Sequence, residues 1–203
     1  MYKRQGFNDA FFIDEKKKNE IIEQEPKAKE IIKPLLRGRE IKKYGYNFTN
    51  NYVIFTHNGY SSEGEKTPHI NIDEFPVVKE HLNQYWKQIE KRTDKGITPY
   101  NLRNCAYVEE FNKEKIVWLA ISDKPAFALD NNNMHVTAPA YIMTSHCNKY
   151  LLALLNSKTM EWYLDKVSSS TGQGTNQWSK LFVEQLPIPQ INDNRSLLLE
   201  QLV

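Results

Sequence analysis

This chain has little of what would mark a disulfide framework, a zinc site or a membrane span. Its 203 residues include two cysteines. Cys105 and Cys147 lie far apart, with no Cys-x-x-Cys pair and no histidines at ligand spacing. That argues against a structural metal or disulfides and makes a reducing cytoplasm the expected compartment. No apolar run approaches the roughly 20 residues that a bilayer requires, so no membrane contact is expected. The N-terminal stretch "MYKRQGFNDAFF" has neither the apolar core nor the small-residue cleavage site of a signal peptide. Glycine is also scarce, at 8 residues. The stretch "TGQGT" (171–175) lies between two helical patterns and lacks the Gly-x-x-x-x-Gly-Lys-Ser/Thr spacing of a phosphate-binding loop, so no cofactor is expected in this chain.

What is present suits a packed domain. Hydrophobic residues make up 40% and aromatics 12%, enough to build a core. The formal net charge is only +2, but it is unevenly spread. Residues 31–103 carry 12 basic and 8 acidic side chains, whereas 104–203 carry 8 and 10. The excess in the middle favours a polyanionic partner there. Both ends read as cut: the chain begins on a turn and strand, and "RSLLLEQLV" is an apolar helical pattern with no stop signal.

The patterning predicts a single α+β domain, a twisted and mainly antiparallel sheet packed by helices at about 75–93 and 148–167. Strands are expected at "DAFFID", "NYVIFTH", "KEKIVWLAIS", "AFALD", "MHVTA" and "AYIMTS", where β-branched and aromatic residues cluster between turns. In the first helix Phe75, Val78, Leu82, Tyr85, Trp86 and Ile89 recur at three- and four-residue steps, which predicts a core-facing stripe, with Gly96 just past its end. The segment "EKKKNEIIEQEPKAKEIIKPLL" reads as a charged connection, helical in part and interrupted at Pro26 and Pro34. "NGYSSEGEKTP" reads as a polar loop.

No catalytic constellation stands out. Glu15 and Lys17, with Asp9 and Asp14 nearby, are the closest approach to a metal-dependent nuclease. The residue between them is a lysine where a core strand wants an aliphatic one. A protein-interaction module of a phage-defence system is a further alternative. The residues that point to chemistry are instead those that suit nucleic acid. Arg37, Arg39, Lys42, Lys43 and Tyr44, with Arg92, Lys95 and Arg103, are the right residue types for phosphates or a groove. Thr171, Gln173, Thr175, Asn176, Gln177 and Lys180 fill a polar loop suited to base contacts.

The segments "GFNDAFFID", "IIKPLLRGREIKKY", "YVIFT", "FPVVKEHLNQYWKQIEKR", "YNLRN", "EKIVW", "YLLALLNSKTMEWYL" and "LPIPQI", taken in order, resemble the TaqI-like C-terminal specificity domain. That domain is the target-recognition part of type IIG restriction–modification enzymes and adenine-N6 DNA methyltransferases. The resemblance runs from about residue 6 to 191. It implies a non-catalytic reader of double-stranded DNA, joined in the same chain to an upstream methyltransferase domain. The parent enzyme is then expected to use S-adenosylmethionine, with magnesium a further candidate if it also cleaves. A motif shared across such a family cannot read bases that differ between its members. "LLRGREIKKY" is therefore expected to brace the fold or hold the phosphate backbone, and the polar loop to carry specificity.

Overall fold

The computed structural model describes residues 9–62, 64–169 and 176–190. They form two compact units, one built from residues up to 35 and from 50–109, the other from 36–49 and from 110 onward.

In the first unit, β1 (Phe12–Asp14) runs directly into α1 (Glu15–Gln24), and the Asp14 carboxylate caps the helix by accepting the Lys17 N–H at 2.8 Å. A 3₁₀ turn at Pro26–Glu30 then leads to β2 (Ile32–Leu36). Pro34 thus lies inside a strand instead of ending a helix. The ring of a proline pushes the preceding residue into extended backbone, which a strand already requires. β3 (Asn51–Ile54) pairs antiparallel with both neighbours, Phe12 opposite Val53 and Ile32 opposite Ile54. The expected polar loop contains a small hairpin, β4 (Tyr60–Ser62) and β5 (Glu65–Thr67), turned by Gly64 at a φ of 89°.

The helix expected over 75–93 is two pieces, α2 (Pro76–Asn83) and α3 (Trp86–Ile89). Pro76 starts α2, where its missing N–H costs nothing. The break at Gln84–Tyr85 rotates the stripe, so Val78, Leu82 and Ile89 are buried while Trp86 stands 37% exposed beside Tyr100. Gly96 is no helix cap. It lies where a Cβ would come within 2.4 Å of the Asn58 side chain and 2.6 Å of the Leu102 carbonyl. Phe11, Leu35, Ile54, Val78, Leu82 and Ile89 centre this core, each worth about 1.5–3 kcal/mol on burial.

Two histidines make this unit sensitive to acid. His81 is buried with Nε2 3.1 Å from the Ala10 carbonyl, and burial lowers its pKa. Burial likewise lowers His57, with repulsion from His69 and Lys33 adding to it. Each folded-state pKa lies below the unfolded value, so the unfolded chain takes up protons first. Stability is full above about pH 6.5 and declines as pH falls through that value. His81→Gln keeps a donor for the Ala10 carbonyl but cannot titrate. Urea midpoints compared at pH 7.5 and 5.5 are expected to fall less in this variant than in the wild type.

In the second unit, the segment 36–49 packs on a three-stranded antiparallel sheet. Its centre is β6 (Lys115–Leu119), followed by β7 (Ile121–Ser122), β8 (Phe127–Asp130), β9 (His135–Val136) and β10 (Ala140–Met143). β6 lies between β10 and β8, with Trp118 opposite both Tyr141 and Phe127. Alternation along β6 divides its side chains between two clusters. Ile116 and Trp118 join Leu152, Leu155, Leu164 and Trp178, while Val117 joins Leu36, Ile41, Ala128 and Met134.

The expected helix over 148–167 is also divided, into α4 (Asn148–Leu155) and α5 (Lys158–Val167). Two polar residues cause the break. The Asn156 amide turns inward and clamps β8, donating to the Phe127 carbonyl at 2.8 Å and accepting its N–H at 3.1 Å. Ser157 then caps α5 by accepting the Met160 N–H at 3.2 Å. The unit closes with β11 (Asn176–Gln177) and the short α6 (Lys180–Val183).

One charged pair lies wholly inside this unit. Lys115 Nζ is 2.5 Å from the Asp130 carboxylate, and both side chains are fully buried. The lysine also donates to the Phe111 carbonyl at 2.7 Å. Asp130 accepts from the Tyr46 hydroxyl at 2.8 Å and from the N–H groups of Asn132 and Met134, both at 2.9 Å. Burial, with the Asp130 carboxylate adding to it, pushes the Tyr46 phenol up to about 12. Tyr46 therefore stays protonated as a donor.

Candidate nucleic-acid interface

The basic block is organised by two residues that carry no positive charge. Glu40 is buried, at 3% exposure. Its carboxylate accepts the Arg37 N–H at 2.7 Å and the Thr49 hydroxyl, and its carbonyl accepts the Asn47 N–H at 2.9 Å. Gly38 packs so closely on Leu119 that a Cβ there would come within 2.4 Å of its side chain. Further along, Tyr44 adopts a φ of 72° while its N–H donates to the Phe127 carbonyl at 2.8 Å. These contacts fix the loop against the edge of the sheet and leave Arg39, Lys42, Lys43 and Tyr44 exposed.

The loop faces the turn between β7 and β8 across a groove of about 380 Å³. Gly38, Arg39, Ile41, Lys42 and Lys43 line one side, and Leu119 and residues 122–126 the other. Four cationic side chains border the groove, Arg39, Lys42, Lys43 and Lys124, against one carboxylate, Asp123. Asp123 is itself engaged by the Lys124 N–H at 2.9 Å, and the Ser122 hydroxyl donates to the Lys124 carbonyl at 2.6 Å. The turn is thus held in one shape. Lys43 differs from the other cations, because its ammonium already sits 2.8 Å from the Glu161 carboxylate.

The end of the polar loop, at Asn176 and Gln177, arrives beside the same turn. β11 pairs antiparallel with β7, Asn176 opposite Ser122 and Gln177 opposite Ile121. Trp178 anchors the ribbon from below, at 1% exposure. Its N–H donates to the Ala120 carbonyl at 2.6 Å, its indole donates to the Ser122 carbonyl at 3.1 Å, and its own carbonyl accepts the Trp118 indole at 2.7 Å. Two segments more than a hundred residues apart in sequence therefore meet at residues 119–126. Ser122 and Lys124 complete the site, and sequence reasoning missed both. The signal available was "SDKP", a turn with a lysine between two strand patterns.

The remaining sequence candidates divide. Thr171, Gln173 and Thr175 lie outside the described residues. Arg37 is half-buried and contributes its backbone to the Glu40 clasp. Asn176 donates its amide to Asp165 at 3.0 Å, and Lys180 is exposed with Glu184 at 3.4 Å. In the first unit, Arg92 is turned inward at 4% exposure, over the face of Phe11 at 4.5 Å and 3.2 Å from Asp94. That guanidinium holds the fold and leaves the set of DNA candidates. Lys95 donates to the Glu90 carbonyl at 2.8 Å, while Arg103 is exposed. The nuclease candidates also have structural partners, Lys17 with Glu20 at 2.5 Å and Glu15 with the Asn50 amide at 3.0 Å. Among the described residues no group of three or more His, Cys, Asp or Glu side chains is placed to hold a metal, and no helix is long and apolar enough to cross a membrane.

The described elements thus form a mixed helix and sheet fold with a basic groove beside a polar ribbon. Residues 33–188 match the TaqI-like C-terminal specificity domain, and the chain belongs to that family. Its fold is similar to part of MmeI, a type IIL restriction–modification enzyme whose structure is of a complex with DNA. The TM-score is 0.69 at 16% identity, over 98% of this chain and 26% of that one. The chain thus spans about a quarter of the length of that enzyme, and the likeness is one of fold. No curated protein sequence matches the chain.

Proposed function

We propose that this chain is the double-stranded DNA recognition domain of a type II restriction–modification adenine-N6 methyltransferase or endonuclease, and is not catalytic alone. The observation that carries this reading is the basic groove between the loop 38–43 and the β7–β8 turn, with β11 paired to β7 beside it. Arg39, Lys42 and Lys124 neutralise phosphates of one strand, and the ribbon beside them meets the bases. Membership in the specificity-domain family and the fold shared with a DNA-bound restriction–modification enzyme support it. The parent chain supplies the methyltransferase domain and its S-adenosylmethionine, with magnesium if it also cuts. A cytoplasmic place beside the genome and a role in phage defence follow from that chemistry.

Fluorescence anisotropy with a labelled duplex tests the reading. Arg39→Ala is expected to weaken binding about tenfold at 50 mM salt, the contribution of one phosphate contact. Lys87→Ala, on the exposed face of α3 in the first unit, is expected to change little. Equal affinities for Arg39→Ala and the wild type would count against the groove.

A further inference from the structure

The β7–β11 ribbon has a second face, turned away from the basic groove. In an antiparallel pair, residues directly opposite project to the same side. Ser122 and Asn176 share one side, that of the groove; Gln177 and Ile121 share the other. The bond from the Trp178 N–H to the Ala120 carbonyl flanks the second pair, making it a non-hydrogen-bonded pair, whose side chains stand closest together. Ile121 is 44% exposed and belongs to none of the apolar clusters. The Gln177 amide makes no hydrogen bond to any described residue. Beneath them Trp178 fixes the backbone of both strands.

A carboxamide with no hydrogen-bond partner among the described residues, set beside an exposed aliphatic side chain, is complementary to one base pair in particular. Adenine offers N7 as acceptor and N6 as donor, which a glutamine engages with two hydrogen bonds. Its partner thymine offers a C5-methyl group, which an aliphatic side chain covers. A two-stranded ribbon is also of a width that the major groove admits. We propose that Gln177 and Ile121 read an A·T pair in the major groove, Gln177 on adenine and Ile121 on the thymine methyl. This rests on the DNA-recognition reading above and gives it a base-level content.

The test is selection of bound duplexes from a random pool by the whole chain at low salt, repeated with Gln177→Ala, Gln177→Glu and Ile121→Ser. Ile121 is exposed and Gln177 half-buried, and unchanged circular dichroism checks that the variants fold. The wild type is expected to select A·T at one position by roughly 5- to 150-fold over the other pairs. Gln177→Ala and Ile121→Ser flatten that position and leave the rest of the selected sequence intact. Gln177→Glu moves it toward cytosine, whose N4 donates to a carboxylate. Replacing thymine by deoxyuridine at that position weakens wild-type binding several-fold and leaves Ile121→Ser unaffected. Variants that bind normally and select the wild-type sequence unchanged overturn this inference alone. A wild type that binds no duplex overturns the DNA reading and this inference together.

Discussion

Asp130→Ala is expected to cost about 3–5 kcal/mol of folding stability, because it strands the Lys115 ammonium in a fully buried site. The same substitution leaves the Tyr46 hydroxyl and the N–H groups of Asn132 and Met134 without their acceptor, and a buried donor without a partner is itself costly. Urea denaturation followed by tryptophan fluorescence measures the loss, since Trp118 and Trp178 lie buried in the same unit. Replacing both members, as in Lys115→Met with Asp130→Leu, removes the uncompensated charge and is expected to restore part of the stability. Single and double variants with midpoints equal to the wild type would mean the pair is irrelevant to folding. The pair ties the first residue of β6 to the last of β8, and Tyr46 ties the loop 36–49 to them both. The strand that leads into the groove and the loop that borders it are thereby fixed through one carboxylate.

The second large effect concerns binding. Arg39, Lys42 and Lys124 border the groove without a carboxylate partner among the described ion pairs, whereas Lys43 is held by Glu161. Changing all three to glutamine is expected to remove the three phosphate contacts proposed above. At 50 mM salt each contact contributes about tenfold, so the triple variant is expected to bind a duplex on the order of a thousandfold more weakly. Lys43→Gln is expected to do less, since its ammonium must first leave Glu161. The three positions are exposed, so the melting temperature is expected to stay within a few degrees of the wild type.

Much of this arrangement is legible in the sequence, and the failures have identifiable causes. Strands at "AFALD", "AYIMTS" and "KEKIVW" were marked by β-branched and aromatic runs, and those runs became the central sheet. Both long helices were located by apolar periodicity, but their breaks were not. Periodicity does not register that Asn156 prefers a clamp on the Phe127 backbone to a place in a helix, or that Tyr85 begins a new turn. The burial of Lys115 depends on Asp130, fifteen residues away, and no local pattern carries that information. The basic block illustrates both sides. That it braces the fold was legible from its place in a family-wide motif. That Glu40 and Gly38 do the bracing, and Arg39 and Lys42 face the groove, needed the loop's geometry. Arg92 was misjudged for the same reason, since a lysine- and arginine-rich helix end gives no sign of which side chain turns inward onto Phe11.

On the proposed function, a duplex is gripped by its phosphates in the groove between residues 38–43 and 122–126. The most direct measurement is the salt dependence of duplex affinity for the wild type and for the Arg39, Lys42 and Lys124 triple variant. The predicted result is a linear fall of log K with log salt, shallower by about 2.7 in the triple variant. A wild-type slope near zero, or a slope that the triple variant leaves unchanged, would contradict it.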